Sequence, residues 1–246
     1  MDRVVFVAAN AAKQLLRSQS VNSNNLANAN TVGFQADMKN FRAQMLRGPG
    51  FESRAFTEIE SAGVSGKKGQ IQTTGRMLDV AVSGQGWLAV QAPDGNEAYT
   101  RAGSLSVNIN GQLVTSAGHP VLGTGGPVVI PEYENLEIGS DGTVSVRAIG
   151  QTPSTLTEVA RIKMVSPRAG DMLKGEDGLL RMRDGTTPPA STDVTLISGA
   201  LENSNANSMD AMVDMIALAR QYEMSIKIMS TAKQMDEKAT QLMNLG

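Results

Sequence analysis

The hydrophobic period of the chain changes twice. Over residues 4–27, Val5, Ala8, Ala12, Leu15, Gln19, Asn22 and Leu26 recur in alternating three- and four-residue steps. That spacing predicts a helix with a thin, alanine-rich seam along one face. Phe34, Met38, Phe41 and Met45 keep helical spacing, so residues 34–46 read as a second short helix or a continuation, with Gly48, Pro49 and Gly50 as the break. From about residue 70 to 198 the period becomes two. "LDVAVSG" and "GWLAVQ" alternate, "LSVNINGQLVT" holds an Asn110–Gly111 turn between two strands, and "LEIGSDGTVSVRAI" repeats the design around Asp141–Gly142. "TEVARIKMV" reads as a further strand. The last stretch, from Met209 to Leu245, is helical again. Met212, Met215, Ala219, Tyr222, Ile226 and Met229 form its seam, and Ala232, Met235, Ala239 and Leu242 continue it after a phase slip, as in a stammered coiled coil. At about 1.5 Å per residue such a helix runs roughly 55 Å and overhangs the β region.

The expected fold is a mainly β central domain, antiparallel and Greek-key or barrel-like, with long N- and C-terminal α-helices pairing as a coiled-coil-like bundle. The corresponding divisions are an N-terminal helical segment over 1–46, a connecting segment over 47–70, an all-β domain over 71–200 and a C-terminal helical segment over 201–246.

Asparagine marks both ends of the β region. "VNSNNLANANTVGF" carries Asn22, Asn24, Asn25, Asn28 and Asn30, and Asn203, Asn205 and Asn207 precede the last helix. Antiparallel helices would bring the two clusters to one level, where amides that both donate and accept satisfy helix-end backbone groups. Gly33 suits a left-handed turn, Leu26 and Phe34 suit anchors, and Asn207 or Ser208 suits the cap of the last helix, with Asp210 in its first turn. The segment reads as a structured junction.

Composition narrows the chemistry. The 246 residues carry a net charge of −2, no cysteine and 14 methionines, and aromatics make up only 4%. The charge gives no electrostatic grip on nucleic acid or anionic lipid, and the absence of cysteine excludes disulfides and thiolate metal sites. Few aromatics leave few anchors for a ligand pocket, whereas many methionines suit adaptable packing surfaces. The apolar opening segment is interrupted by Lys13 and Arg17, so no cleaved signal is expected, and no run is long enough to span a membrane. The lone histidine, His119, has no catalytic company. "GTGG" lacks the setting of a phosphate cradle, and "NINGQ" lacks the later carboxylate of a calcium loop. No enzymatic activity, cofactor or metal is expected.

Four blocks, met in order, resemble the bacterial flagellar rod and hook protein family. "SNNLANANTVGF" is similar to its N-terminal signature through Asn24, Asn25, Asn28, Thr31, Gly33 and Phe34. "TTGRMLDVAVSGQGWLAVQ" resembles its second block, with Trp87 where phenylalanine is usual. "YTRAGSLSVNINGQLVTSAGHPVLG" resembles the third, with Ala102 for a common asparagine and Leu105 for a common phenylalanine, and "GALENSNANSMDAMVDMIALARQYE" the fourth. The "MDR" start, the short 46–70 segment and "MVDMIALARQYEM" look most like the proximal-rod members. The resemblance implies a structural subunit of the basal-body rod in the periplasm, exported by the flagellar export apparatus without signal cleavage. It also implies assembly through the terminal helices with further copies and other rod subunits into a torque-transmitting shaft. The residues implied in assembly are Leu15, Leu26, Asn24, Asn25, Asn28, Thr31, Gly33, Phe34, Met212, Met215, Ala219, Tyr222, Ile226 and Met229. The alternatives are a distal-rod or hook subunit, or a secreted β-domain binding module.

Overall fold

A computed structural model of the protein describes residues 2–45, 55–150 and 156–243. The chain forms two compact units: one holds residues 1–27, 38–62 and 207–246, the other 28–37 and 63–206.

The first unit is built on two helices, α1 (Asp2–Ala27) and α2 (Ser208–Met243), packed on each other. Asn22 sits beside Ala211, Leu15 shares a groove with Gln221 and Met224, and Val5 shares one with Met229 and Ala232. Residue numbers rise along one helix as they fall along the other, so the pair is antiparallel. The seam expected on α1 faces inward: Ala8, Ala12 and Asn22 are buried, and Val5, Leu15, Gln19 and Leu26 are half-buried. Gln14 and Ser18 join them.

On α2 the seam keeps Met215, Tyr222, Met229 and Ala232 from the expected one and takes Ala211, Leu218 and Ser225 in place of Met212, Ala219 and Ile226. It runs through Ala211, Met215, Leu218, Tyr222, Ser225, Met229 and Ala232, in regular four- and three-residue steps with no phase slip. Met212, Ile226 and Met235 flank it and are exposed. The reason is steric. A helix whose inner face is mostly alanine, serine and asparagine gains contact only by close approach, and close approach selects Ala211, Ser225 and Ala232 over bulkier neighbours. The side chains of Ala239 and Leu242 lie outside the described residues.

Residues 34–46 are not helical. Asp37–Met45 is a strand, hydrogen-bonded to a second strand, Ala55–Val64. A helix of a dozen residues is marginal without tertiary support, and pairing with an extended neighbour satisfies the backbone of both segments instead. The Gly48–Pro49–Gly50 break lies outside the described residues.

The second unit is the β region. Both expected hairpins are present: Leu105–Val107 pairs antiparallel with Leu113–Thr115, and Asn135–Ile138 with Thr143–Arg147. Asn108 organises the first turn, its side chain accepting from the backbone of Asn110 and Gln112 while its carbonyl accepts from Gly111. Among the described residues the strands fall into several small sheets, the largest five-stranded, joined by isolated bridges such as Val90 to Val121. The Trp87–Gln91 strand explains why "GWLAV" is apolar throughout. Leu88 and Val90 enter one core cluster with Val80, Val82, Leu105, Leu113 and Ile162, while Trp87 and Ala89 enter a second with Tyr99, Met172 and Leu180. A strand with core on both faces loses its alternation.

Candidate assembly site

Among the described residues the β unit contains one fully desolvated ion pair, and the family-like blocks converge on it. Glu202 ends the short strand Ala200–Glu202, which pairs with Ile71–Thr73. Arg101 follows the strand Glu97–Thr100. The residues are 1% and 3% exposed, and Arg101 Nη1 lies 3.0 Å from both Glu202 carboxylate oxygens. The other guanidinium nitrogens are also engaged: Nε donates to the Gly86 carbonyl and Nη2 to that of Gly84, and the group lies 4.9 Å from the Trp87 ring centre. Glu202 Oε1 further accepts from the Gly69 amide at 2.8 Å and from Gln35 Nε2 at 3.3 Å. A buried charge pair is tolerated only when such bonds satisfy its remaining donors and lone pairs.

The segment 28–37 is folded onto this pair. Asn28 and Thr31 close a turn, with the Thr31 amide donating to the Asn28 carbonyl and the Phe34 amide to that of Thr31. Gly33 then donates its amide to the Glu202 carbonyl at 2.7 Å. It has φ +68°, and a Cβ there would fall inside the Arg101–Ala102 peptide. Asn205, from the second asparagine cluster, holds the same segment: its side chain accepts from the Ala36 amide and donates to Gln35 Oε1 and the Lys67 carbonyl. Lys174 closes the far side, with its ammonium 3.6 Å from the Phe34 ring centre, donating to the Gln35 carbonyl and pairing with Asp37 at 3.4 Å. Burial holds the Lys174 pKa below the ordinary lysine range, against the pull of Asp37.

Gly33→Ala is therefore expected to lower the thermal midpoint of the purified chain by several degrees. The left-handed conformation alone costs an alanine roughly 1–2 kcal/mol, and the neighbour is backbone that cannot rotate away. A midpoint within a degree of the parent would refute the close packing.

The second block forms its own knot at the same end. Thr74 Oγ1 donates to Asp79, Arg76 pairs with Asp79 at 2.7 Å and donates to the Leu105 carbonyl, and the amides of Thr74 and Gly75 donate to the Gly199 carbonyl. Gly103 is required because a Cβ would land on the Val80 carbonyl oxygen.

In the helical unit Asn207 caps α2 through its side chain to the Met209 amide, and Asn22 donates to the Ala211 carbonyl at 2.6 Å. Of the residues singled out from the sequence, Asn28, Thr31, Gly33 and Phe34 meet in the β unit. Leu15, Leu26, Asn24 and Asn25 lie on α1, and Met212, Met215, Ala219, Tyr222, Ile226 and Met229 on α2. Met215, Tyr222 and Met229 face the seam, half-buried as Ala219 is, while Met212 and Ile226 face outward. The outward positions carry much more apolar surface: Val4, Phe6, Val7 and Leu16 on α1, and Met209, Val213, Ile216, Met224 and Ile228 on α2. His119 sits in a turn where its backbone exchanges hydrogen bonds with Thr115. Sequence reasoning singled out Asn205 through its cluster but not Arg101, Glu202, Gln35 or Lys174. The available signal was opposite charges set inside otherwise apolar strand sequence, "AYTRAG" and "ISGALEN".

Three family models match the chain: "Flagella basal body rod protein" over residues 7–35, "Flagellar hook protein FlgE/F/G D1 domain" over 81–146, and "Flagellar basal body rod FlgEFG protein C-terminal" over 197–242. The flagellar basal-body rod protein FlgF of Salmonella typhimurium is 39% identical over 252 residues, and that of Escherichia coli K12 is 40% identical over 252 residues. Each alignment covers 100% of both chains. The flagellar basal-body rod protein FlgG of Buchnera aphidicola subsp. Schizaphis graminum is 35% identical, covering 94% of this chain and 97% of the relative.

Proposed function

Because the chain belongs to the flagellar basal-body rod protein family, we infer that it is a structural subunit of the proximal rod. Other rod subunits are its partners, and it works by packing rather than by catalysis. The observation that carries the mode of assembly is the apolar surface of α2. Apolar residues flank its seam on both sides, with Met209, Met212, Ile216 and Ile226 on one side and Met224, Ile228 and Met235 on the other. Apolar residues left exposed on both sides of a helical seam are removed from water when further helices cover them. In our reading those helices come from other rod subunits and from further copies of this chain, in coiled-coil-like packing along the seam. The assembly residues Leu15, Leu26, Asn24, Asn25, Ala219 and Tyr222 contribute from the helical unit, and the joint at Gly33 keeps the chain path fixed as torque passes.

We further propose that the chain reaches the periplasmic part of the basal body through the flagellar export apparatus. Among the described residues no helix is long and apolar enough to cross a membrane. The bridges between small sheets support a barrel-like wrapping of the β region around its core.

The natural chain has no cysteine, so one introduced thiol is unambiguous. Val213→Cys should react rapidly with a maleimide in the purified chain and be protected in isolated basal bodies. Equal labelling in both, with the chain present in the rod fraction, would show that this face is not covered by assembly.

A further inference from the structure

We propose that Met209, Met212, Met224 and Met235 are oxidation-sensitive positions on the surface of α2 that control whether the free subunit can assemble. They are 73%, 51%, 63% and 53% exposed, respectively, and none is a seam residue, although Met224 borders the groove it shares with Leu15 of α1. Met164 and Met172 in the β unit are 3% and 0% exposed. The chain has 14 methionines and no cysteine, so the thioethers are its only oxidisable sulfurs. The inference rests on the reading of α2 as a subunit interface and adds a modification to it.

The chemistry needs only a peroxide. A lone pair on the thioether sulfur attacks the terminal oxygen of hydrogen peroxide, an S–O bond forms and the O–O bond breaks. The departing hydroxide takes up the proton from the transferred oxygen and leaves as water. Sulfur loses two electrons and the peroxide gains them. The product sulfoxide is polar and chiral, where the thioether was apolar and pliable. In the free chain the new oxygen points to water and costs little. In a packed helical interface each sulfoxide needs a hydrogen-bond donor, and beside Met209 and Met212 the Val213 and Ile216 side chains supply none. Assembly covers the same sulfurs, so a subunit is vulnerable before incorporation and protected after it.

The test starts with the full-length purified chain in dilute hydrogen peroxide, with peptide mass spectrometry following each methionine. The four exposed residues should oxidise at least about tenfold faster than Met164 and Met172, since susceptibility follows exposure. The same treatment of intact basal bodies should spare them. In cells lacking the native chain, a variant with all four changed to leucine should restore flagella. A variant with all four changed to glutamine, a polar stand-in for the sulfoxide, should not, although its purified form keeps the parental melting profile. Two results overturn the proposal: exposed methionines reacting no faster than the buried pair, or normal flagellation by the glutamine variant. Ile216→Asp separates that failure from a failure of the interface reading. If the aspartate variant lacks flagella while the glutamine variant makes them, only the oxidation proposal falls. If both make flagella, the interface reading falls with it.

Discussion

Replacing Glu202 with alanine lowers the thermal midpoint of the purified chain by on the order of 10 °C. The carboxylate is nearly inaccessible and has four hydrogen-bond contacts: two with Arg101, one with the Gly69 amide and one with Gln35. Its removal leaves a guanidinium buried without its counter-charge and an amide without an acceptor. Breaking one side of a buried pair costs roughly 3–5 kcal/mol, and in a unit of this size each kcal/mol corresponds to roughly 2–4 °C. The Gly33 amide binds the Glu202 backbone carbonyl, so the 28–37 segment loses side-chain support but keeps that bond. Glu202→Gln should fall between alanine and the parent, because it keeps hydrogen-bonding capacity without the charge. Changing both partners, Arg101→Met with Glu202→Leu, should recover roughly half or more of the loss, since an apolar pair of similar volume removes the uncompensated charge. Calorimetry of the variants decides the matter. A shift under about 2 °C for Glu202→Ala would mean that water reaches the joint.

The joint also shows what the sequence could and could not reveal. Gly33 was legible because a glycine between a turn and an aromatic has few other uses, and the structure gives it a left-handed φ. The hairpins at Asn110–Gly111 and Asp141–Gly142 were legible because turn chemistry is local. Arg101 and Glu202 were not. They lie 101 positions apart, and nothing local says that two charges will share one buried site. The strand at Asp37–Met45 was misread for a related reason: its partner Ala55–Val64, a non-local contact, decided between helix and strand. The α2 seam differs by one residue at Met212 and Ile226 because methionine and isoleucine dominate any count of hydrophobicity. The small residues Ala211 and Ser225 take the inner face because of what α1 presents, and that constraint exists only in the packed pair.

That displacement makes the outer face of α2 the sharper test of assembly. Ile216→Asp is expected to leave the purified chain folded and to leave cells that make only this variant without flagella. Ile216 is 57% exposed and lies off the seam with α1, so a carboxylate there stays hydrated in the free chain. The cost is limited to helix propensity and lost apolar contact, about 1 kcal/mol or less. In a rod that covers this face, the carboxylate and the Arg220 guanidinium four residues on are desolvated together, and that penalty can exceed their mutual attraction by several kcal/mol per site. The cost recurs in every copy, so the penalty grows with the number of subunits added. Ile216→Leu keeps the apolar volume and should assemble normally, which separates charge from loss of the native side chain. Ile226→Asp should follow Ile216→Asp but cost the monomer more, because Ile226 borders the groove shared by Val5 and Met229. Circular dichroism and melting of the purified variants give the folding half of the comparison, and electron microscopy of complemented cells gives the assembly half. A monomer that unfolds with Ile216→Asp would show that the residue already packs within its own chain. Normal flagella would show that this face of α2 stays in contact with water inside the rod.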